Sequence, residues 1–187
     1  MSIAVAVAKN RKVVIAADSL STFGDRRVPA ENHRCAKVVR VGSGLIASTG
    51  WGLYDNILED YLARPPAPRL QTERQIFRFF VRFWKELHRH YPFVNDKPDK
   101  DDRSPFADLD SSFLVATKTA IFYVASDMSV TRFDQYYAVG CAAQYALGAL
   151  HVLYSSNLDA KGIATKACDA AIAFDIHCGS PVQVFSP

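Results

Sequence analysis

The residue at position 2 combines two groups that together can perform nucleophilic catalysis. Removal of Met1, which a small second residue permits, would leave Ser2 with a hydroxyl and a free α-amine on the same residue. An α-amine of this kind has a pKa of about 7.7–8.0. It can act as general base for the neighbouring hydroxyl, as in other self-activated serine and threonine nucleophiles. Many proteins begin with Met-Ser, so this feature alone indicates little.

Two charged residues further along the chain carry groups that such a nucleophile needs. Asp18 ends the apolar run 13–17, and Lys37 precedes the apolar run 38–41. Each has an ordinary structural interpretation, which is an Asx turn or strand-end cap for Asp18 and a solvated strand-start lysine for Lys37. A lysine near Asp18 would stay charged. Placed near the hydroxyl of Ser2, it would stabilise the alkoxide.

The spacing of these residues resembles the N-terminal half of proteasome β-subunits and of HslV, the peptidase half of a bacterial heat-shock protease. Members of that family begin with a catalytic threonine, have an aspartate sixteen residues later, and then a lysine. Here Asp18 also follows Ser2 by sixteen residues, and Lys37 follows by nineteen more, which implies a small insertion near residues 26–33. Residues 46–50, 137–140 and 167–175 resemble later family motifs. The best subgroup match is the betaproteobacterial proteasome homologues.

The resemblance implies a catalytic role for four of the matched residues. Ser2 would be the nucleophile and its own α-amine the base. Asp18 and Lys37 would be a charged pair that positions the hydroxyl and lowers its pKa. The amide of Gly50 would donate to the oxyanion of the intermediate.

The resemblance also implies how substrate would bind. A polypeptide would pair as an extended strand with backbone groups of Thr22 and Gly50, which is a general mode of peptide recognition. Ser48 would lie in the specificity pocket. The family fold needs no cofactor or metal, and none is predicted.

The sequence departs from the family pattern around the supporting residues of the site. Ser2 replaces the usual threonine and loses a methyl group that restricts the hydroxyl's rotamer. Cys141 stands where family members have a serine, and a thiol is a weaker donor. Asp175 matches the supporting aspartate, but Cys178 again replaces a common serine. These changes argue for slower turnover.

Other candidate sites are weaker. His88 and His90 are two residues apart on a predicted helix, so they do not face one metal ion. His177 and Cys178 could form a nucleophile pair near Asp175, but adjacent side chains point apart in an extended segment.

The elements that must position these residues follow from the hydrophobic pattern. Two hairpins are predicted over residues 3–17 and 37–49, and a long helix runs from an N-cap at Thr72 to about Tyr91. This helix is so apolar that we expect it to bury two faces, one against another subunit. The remaining predictions are a helix from residue 52, an exposed loop at 95–110, strands within 113–125, 135–139 and 181–185, and helices at 142–154 and 159–174.

This order of elements predicts a single α+β domain over residues 1–187. Strands, helices, strands and helices follow one another, and the strands are apolar on both faces. The architecture expected is a four-layer αββα sandwich, with two stacked antiparallel sheets and helices on both outer faces.

Composition excludes several classes of protein. The 187 residues are 49% hydrophobic and 22% charged, and the formal net charge is only +3. This balance argues against nucleic acid or an anionic membrane as the main partner. No apolar stretch approaches the roughly 20 residues of a membrane helix, and no signal peptide is evident. Four cysteines without a C-x-x-C motif argue against a disulfide scaffold or a zinc ribbon, so a cytoplasmic location is expected.

Two functional hypotheses follow. The first is a self-compartmentalising peptidase subunit that cleaves unfolded proteins or peptides with Ser2. The resemblance implies two stacked rings of six or seven subunits and an ATP-dependent unfoldase ring as partner. The alternative is a ring-forming scaffold or pseudo-peptidase, which the serine-to-cysteine changes favour and the intact Ser2, Asp18 and Lys37 oppose.

Overall fold

A computed structural model describes residues 2–28, 30–33, 36–64, 68–91, 109 and 111–187. The strands are β1 (Ile3–Lys9), β2 (Lys12–Ala17), β3 (Ser21–Phe23), β4 (Arg26–Val28), β5 (Val38–Val41), β6 (Gly44–Gly50), β7 (Ser111–Ala116), β8 (Ile121–Val124), β9 (Val130–Phe133), β10 (Tyr136–Gly140) and β11 (Gln183–Phe185). The helices are α1 (Gly52–Leu62), α2 (Glu73–His90), α3 (Ala143–Tyr154) and α4 (Ala160–Phe174), with a 3-10 turn at Ala30–Asn32.

Two antiparallel sheets form the centre of the molecule. The first has the strand order β10-β1-β2-β11, and the second has the order β5-β6-β7-β8-β9. Strands β3 and β4 form a separate ribbon. The β1–β2 hairpin turns at Asn10 and Arg11, which both have positive φ, as the tight turns that match strand twist require.

Strand β1 shows why the sheets stack. Its even-numbered residues Ala4 and Ala6 pack against the second sheet, in a core that includes Leu45 and Leu114. Its odd-numbered residues pack in a different cluster, with α3 and α4. Because side chains alternate between the faces of a strand, both faces of β1 are covered.

Helices α1 and α2 cover the outer face of the second sheet. Phe79, Phe80 and Phe83 of α2 are fully buried, and the rings of Phe80 and Phe113 have centroids 4.7 Å apart. Burying one such side chain stabilises the fold by about 1.5–3 kcal/mol. Thr72 caps α2 by accepting a hydrogen bond from the amide of Gln75 at 3.3 Å. The predicted four-layer αββα architecture is confirmed.

The structure also corrects details of the expectations. The β3–β4 ribbon and β9 are additional strands. Helix α2 places Phe79 and Phe80 in its own subunit's core and exposes Phe77, so its expected subunit contact rests chiefly on Phe77. Of the loop predicted at 95–110, only Leu109 is described, and it is buried in the core instead of exposed. No helix in the described ranges has the length and hydropathy to cross a membrane.

Candidate active site

Ser2 lies just before β1, where the end of β10 passes close by. The strands are paired so that Ile3 is opposite Gly140. The backbone of Gly140 approaches Ser2 so closely that a Cβ atom there would be 2.0 Å from the Ser2 carbonyl oxygen. Gly140 also has φ of +114°, in the left-handed region that favours glycine. Ser2 itself is 8% exposed, so the first sheet holds this residue firmly in place.

Asp18 is the central acceptor of the site. Pairing of β1 with β2 places it next to the start of β1, where its Oδ1 accepts a hydrogen bond from the Ile3 amide at 3.0 Å. Its Oδ2 accepts from the amides of Leu20 at 3.2 Å and Gly179 at 3.0 Å. The residue is 1% exposed. A buried carboxylate with this many donors fixes the backbone at Ile3, which follows Ser2, and at Leu20 and Gly179.

Lys37 supplies the positive charge for this carboxylate. Its Nζ lies 2.7 Å from Oδ1 of Asp18 and 2.6 Å from the carbonyl oxygen of Leu20. The lysine side chain is 7% exposed. Because the ammonium is buried and bound to both the Asp18 carboxylate and the Leu20 carbonyl oxygen, its orientation is fixed. A solvated lysine at a strand start would not be fixed in this way.

A cavity of about 130 Å³ opens beside these groups. It brings together five of the residues predicted to be catalytic or substrate-binding, and its lining comprises Ser2, Leu20, Ser21, Thr22, Phe23, Lys37, Ser48, Gly50, Gly52 and Asp55. Asp18 lies behind this lining, bonded to Lys37. The structure therefore places Ser2 and Lys37 on the wall of one small cleft.

Gly50 is the last residue of β6, where the chain leaves the sheet to begin α1. Its φ of +141° is in the region that favours glycine. The next residue, Trp51, is the N-cap of α1, so the Gly50 amide lies just before the N-terminal end of a helix. Such ends carry partial positive charge and favour anions, as an oxyanion site requires.

Asp55 is a residue of the cleft that sequence reasoning missed. It lies in the first turn of α1, and its Oδ1 accepts a hydrogen bond from the Ser48 hydroxyl. Burial raises the pKa of Asp55, and the bond from Ser48 opposes that change. An acidic residue seven positions after Ser48, at a helix start, was the signal available in the sequence.

A second cluster lies on the other side of Ser2. The carbonyl oxygen of Ser2 accepts a hydrogen bond from the Cys141 amide at 3.1 Å and is contacted by its Sγ at 3.6 Å. The ligand-type atoms of Cys141, Asp175 and Cys178 all lie within 4.8 Å of one another. A hydrogen bond from the Cys178 thiol lowers the pKa of Cys141, and the same bond raises the pKa of Cys178. Both are free thiols.

The competing sites do not assemble in the same way. His88 contacts the carbonyl oxygen of Trp84 at 2.7 Å, while His90 pairs with Glu86 at 3.1 Å. The two imidazoles therefore have different partners on α2. Cys178 faces Cys141, and the amide of His177 donates to Asp175 Oδ1 at 2.8 Å.

Comparison with known proteins gave matches among solved structures. No family model and no curated protein matches the sequence. Thiobacillus denitrificans BPH, a bacterial proteasome homologue, matches with a TM-score of 0.90 at 31% identity in its complex with epoxomicin, and at 30% identity without it. Each match covers 99% of this chain and 97% of the BPH chain. Eukaryotic HslV from Trypanosoma brucei matches with a TM-score of 0.66 at 18% identity over 98% of both chains, which is a likeness of fold.

Proposed function

Since this chain belongs to the proteasome- and HslV-like family of N-terminal-nucleophile hydrolases, we propose that it is a peptidase whose nucleophile is Ser2 after removal of Met1. The family membership supports a peptidase-type subunit in general. The assignment of the reaction to Ser2 rests on one observation. Lys37 lines the same cleft as Ser2, and its ion-pair partner Asp18 is buried behind it.

The proposed reaction uses groups of this chain alone. The α-amine of Ser2 takes the hydroxyl proton as the oxygen attacks the scissile carbonyl carbon. Lys37 stabilises the developing alkoxide, and the Gly50 amide donates to the oxyanion. The protonated amine then gives its proton to the leaving amine, which leaves an ester on Ser2. Water attacks this ester with the same amine as base, releasing the acid product and restoring the hydroxyl.

The substrate in this proposal is an extended polypeptide. Thr22 lies on β3 and Gly50 at the end of β6, and both line the cleft. Backbone groups at these two positions can pair with a peptide laid between them. A cleft of about 130 Å³ suits one substrate side chain, which would lie against Ser48 and Asp55.

The proposed assembly is a double ring of identical subunits. Each chain would form one proteasome-type domain, six or seven of them per ring, in the cytoplasm. An ATP-dependent unfoldase ring would deliver unfolded chains. Large apolar residues left exposed at the ends of α3 and α4, including Val152, Phe174 and Ile176, support burial of that region between subunits.

One observation favours a second function, a ring-forming scaffold with little activity. Cys141 and Cys178 stand where the family has serines, and Cys141 directly contacts Ser2. A thiol is a weaker hydrogen-bond donor than a hydroxyl, so the carbonyl group of Ser2, and with it the residue's backbone, would be held less firmly. Peptide turnover that is lost in Ser2→Ala would identify a peptidase, whereas a scaffold would show little turnover with or without Ser2.

The decisive experiment combines the intact mass of the chain with turnover of short peptides. We expect a mass lacking Met1, activity in the wild type, and none in Ser2→Ala or in a chain that retains Met1. Ser2→Thr should keep or raise activity, because the added methyl restricts the hydroxyl's rotamer. We also expect epoxomicin, which the BPH relative binds, to react with this chain only when Ser2 is intact. Activity surviving in purified Ser2→Ala would place the nucleophile elsewhere, and inactivity of every variant would favour the scaffold.

A further inference from the structure

Three ligand-type side chains converge beside Ser2. Cys141 follows β10, while Asp175 and Cys178 follow α4, so the fold joins residues 37 positions apart in the sequence. Their two sulfur atoms and a carboxylate oxygen lie within 4.8 Å of one another. Among the residues that the structure describes, no other three side chains of ligand type come this close. We propose that this cluster binds a thiophilic divalent cation such as Zn²⁺, and that the bound ion inhibits the peptidase.

The spacing of the cluster fits a tetrahedral zinc ion. Zinc binds thiolate sulfur at about 2.3 Å and carboxylate oxygen at about 2.0–2.2 Å. Ligands at those distances in a tetrahedron are roughly 3.5–3.8 Å apart. Side-chain movements of about 1 Å or less therefore bring the three atoms to a common ion. Two sulfur ligands select zinc and similar soft ions over Mg²⁺ and Ca²⁺, which prefer oxygen.

The backbone already orients two of the three ligands. The amide of His177 donates to Oδ1 of Asp175 at 2.8 Å, and the amide of Cys141 donates to the Ser2 carbonyl at 3.1 Å. Fixed outer contacts of this type raise metal affinity by holding the ligands in place. Cys178 is 1% exposed, whereas Cys141 and Asp175 are half-buried, so an ion would enter past those two residues.

Charge balance favours occupation. Binding of a divalent cation displaces one proton from each thiol, and the two thiolates with the carboxylate carry three negative charges. The ion leaves one negative charge, the same as the carboxylate with two neutral thiols. Occupation thus adds no net charge to a poorly solvated region, where an added charge is costly.

Inhibition rests on the proposed function and on the position of Ser2. The Sγ of Cys141 is 3.6 Å from the Ser2 carbonyl oxygen, so the ion would lie next to the nucleophile's own residue. Three protein ligands leave a fourth position open. The free α-amine of processed Ser2 is a nitrogen ligand suited to it. An amine whose lone pair is bound to a metal cannot accept the hydroxyl proton.

The binding test uses Co²⁺ as a spectroscopic substitute for Zn²⁺ on the full chain, kept reduced with a phosphine. We expect one Co²⁺ per chain, a thiolate-to-cobalt charge-transfer band, and loss of that band when Zn²⁺ is added. Cys178→Ser should weaken Co²⁺ binding by at least about 100-fold, since even outer contacts of a metal site are worth 10–100-fold. The matched control is Cys168→Ser, a buried thiol of α4 outside the cluster, which should leave the band unchanged.

A second measurement needs no variant. Zn²⁺ should protect Cys141, the half-buried thiol of the cluster, from alkylation as read by peptide mapping, whereas the buried Cys168 and Cys178 should react little with or without the ion. Absence of the charge-transfer band, its persistence in Cys178→Ser, or lack of protection would overturn the site.

Activity is read separately. Zn²⁺ should inhibit wild-type peptide turnover and affect Cys178→Ser only at much higher concentration. Binding without inhibition would overturn the inhibitory role. A chain that binds Co²⁺ through these thiols but never cleaves peptide would support the site and contradict the proposed peptidase function.

Discussion

The ammonium of Lys37 and the carboxylate of Asp18 lie 2.7 Å apart, with side chains 7% and 0% exposed. Both groups are largely removed from bulk water, so each depends on the other for charge compensation. The same carboxylate accepts backbone hydrogen bonds from Ile3, Leu20 and Gly179. The pair is therefore both a structural junction and the electrostatic support of the proposed nucleophile.

Loss of the lysine should damage stability and catalysis together. Lys37→Met leaves Asp18 as a buried charge without a counterion, a change that typically costs about 3–5 kcal/mol in the free energy of unfolding. Urea unfolding should show this loss. Asp18→Asn in the Lys37→Met background should recover part of it, because the uncompensated charge is gone. Peptide turnover by folded Lys37→Met should fall by about 10²–10³-fold. Unfolding at the wild-type urea concentration would show that the pair does not stabilise the fold.

The contact between Gly140 and Ser2 should not tolerate a methyl group. Gly140→Ala would place its Cβ 2.0 Å from the Ser2 carbonyl oxygen at a φ of +114°. Overpacking and backbone strain each cost about 1–3 kcal/mol, so we expect a loss of roughly 2–6 kcal/mol and a displaced Ser2. The matched control is Gly148→Ala in α3, where a Cβ meets nothing within 4 Å and helix propensity improves. Thermal melting should separate the two variants in opposite directions.

Asp55 should make stability depend on pH. Burial raises its pKa above the ordinary value of 3.8, with the Ser48 hydrogen bond opposing. Between the unfolded and folded pKa values the folded state holds more protons, so stability falls as pH rises through this window. Above the folded pKa the full penalty is present. Asp55→Asn should therefore raise the melting temperature at neutral pH, and its advantage should shrink as the pH is lowered toward 4.

The control for this effect lies on the same helix. Hydrogen bonds from Tyr91 and Arg64 lower the pKa of Asp60, which is the opposite direction. Asp60→Asn should give no stabilisation at neutral pH. A melting temperature of Asp55→Asn below that of the wild type at every pH would contradict this prediction, because it would show that the ionised Asp55 carboxylate stabilises the folded chain.

Assembly should depend on the exposed apolar residues near the end of α4. Light scattering is expected to give a mass of twelve or fourteen chains. Phe174→Glu and Ile176→Glu should lower that mass, since these side chains are 71% and 73% exposed in the single subunit. Phe77→Glu tests the face of α2 that the sequence predicted to contact another subunit. A stable wild-type monomer at micromolar concentration would contradict the ring, and disruption by Phe77→Glu alone would move the interface to α2.

The sequence predicted the layers because these depend on local pattern. The cleft residues Thr22, Ser48 and Gly50 were predicted only from the resemblance to proteasome β-subunits. Apolar runs located β1, β2 and β6, and the sixteen-residue spacing of Ser2 and Asp18 follows from a hairpin that places both at one end of the sheet. The β3–β4 ribbon was missed because its residues are polar and largely exposed.

The hydrophobic pattern of the sequence does not predict which residues from different elements come into contact. Asp55 enters the cleft only because β6 runs directly into α1, which turns the helix start toward Ser48. The thiols of Cys141 and Cys178 meet because α3, which follows Cys141, packs against α4, which precedes Cys178. A search for closely spaced metal-ligand motifs in the sequence could not find this pair.

The hydrogen bond from the Gly179 amide to Asp18 has a consequence for the timing of synthesis. Asp18 and Lys37 leave the ribosome early, but their junction is complete only when residue 179 has been added. At translation rates of about 5–20 residues per second, that interval is roughly 7–30 s. A newborn chain thus passes most of its synthesis without the complete set of hydrogen bonds around Asp18 that the proposed nucleophile site requires.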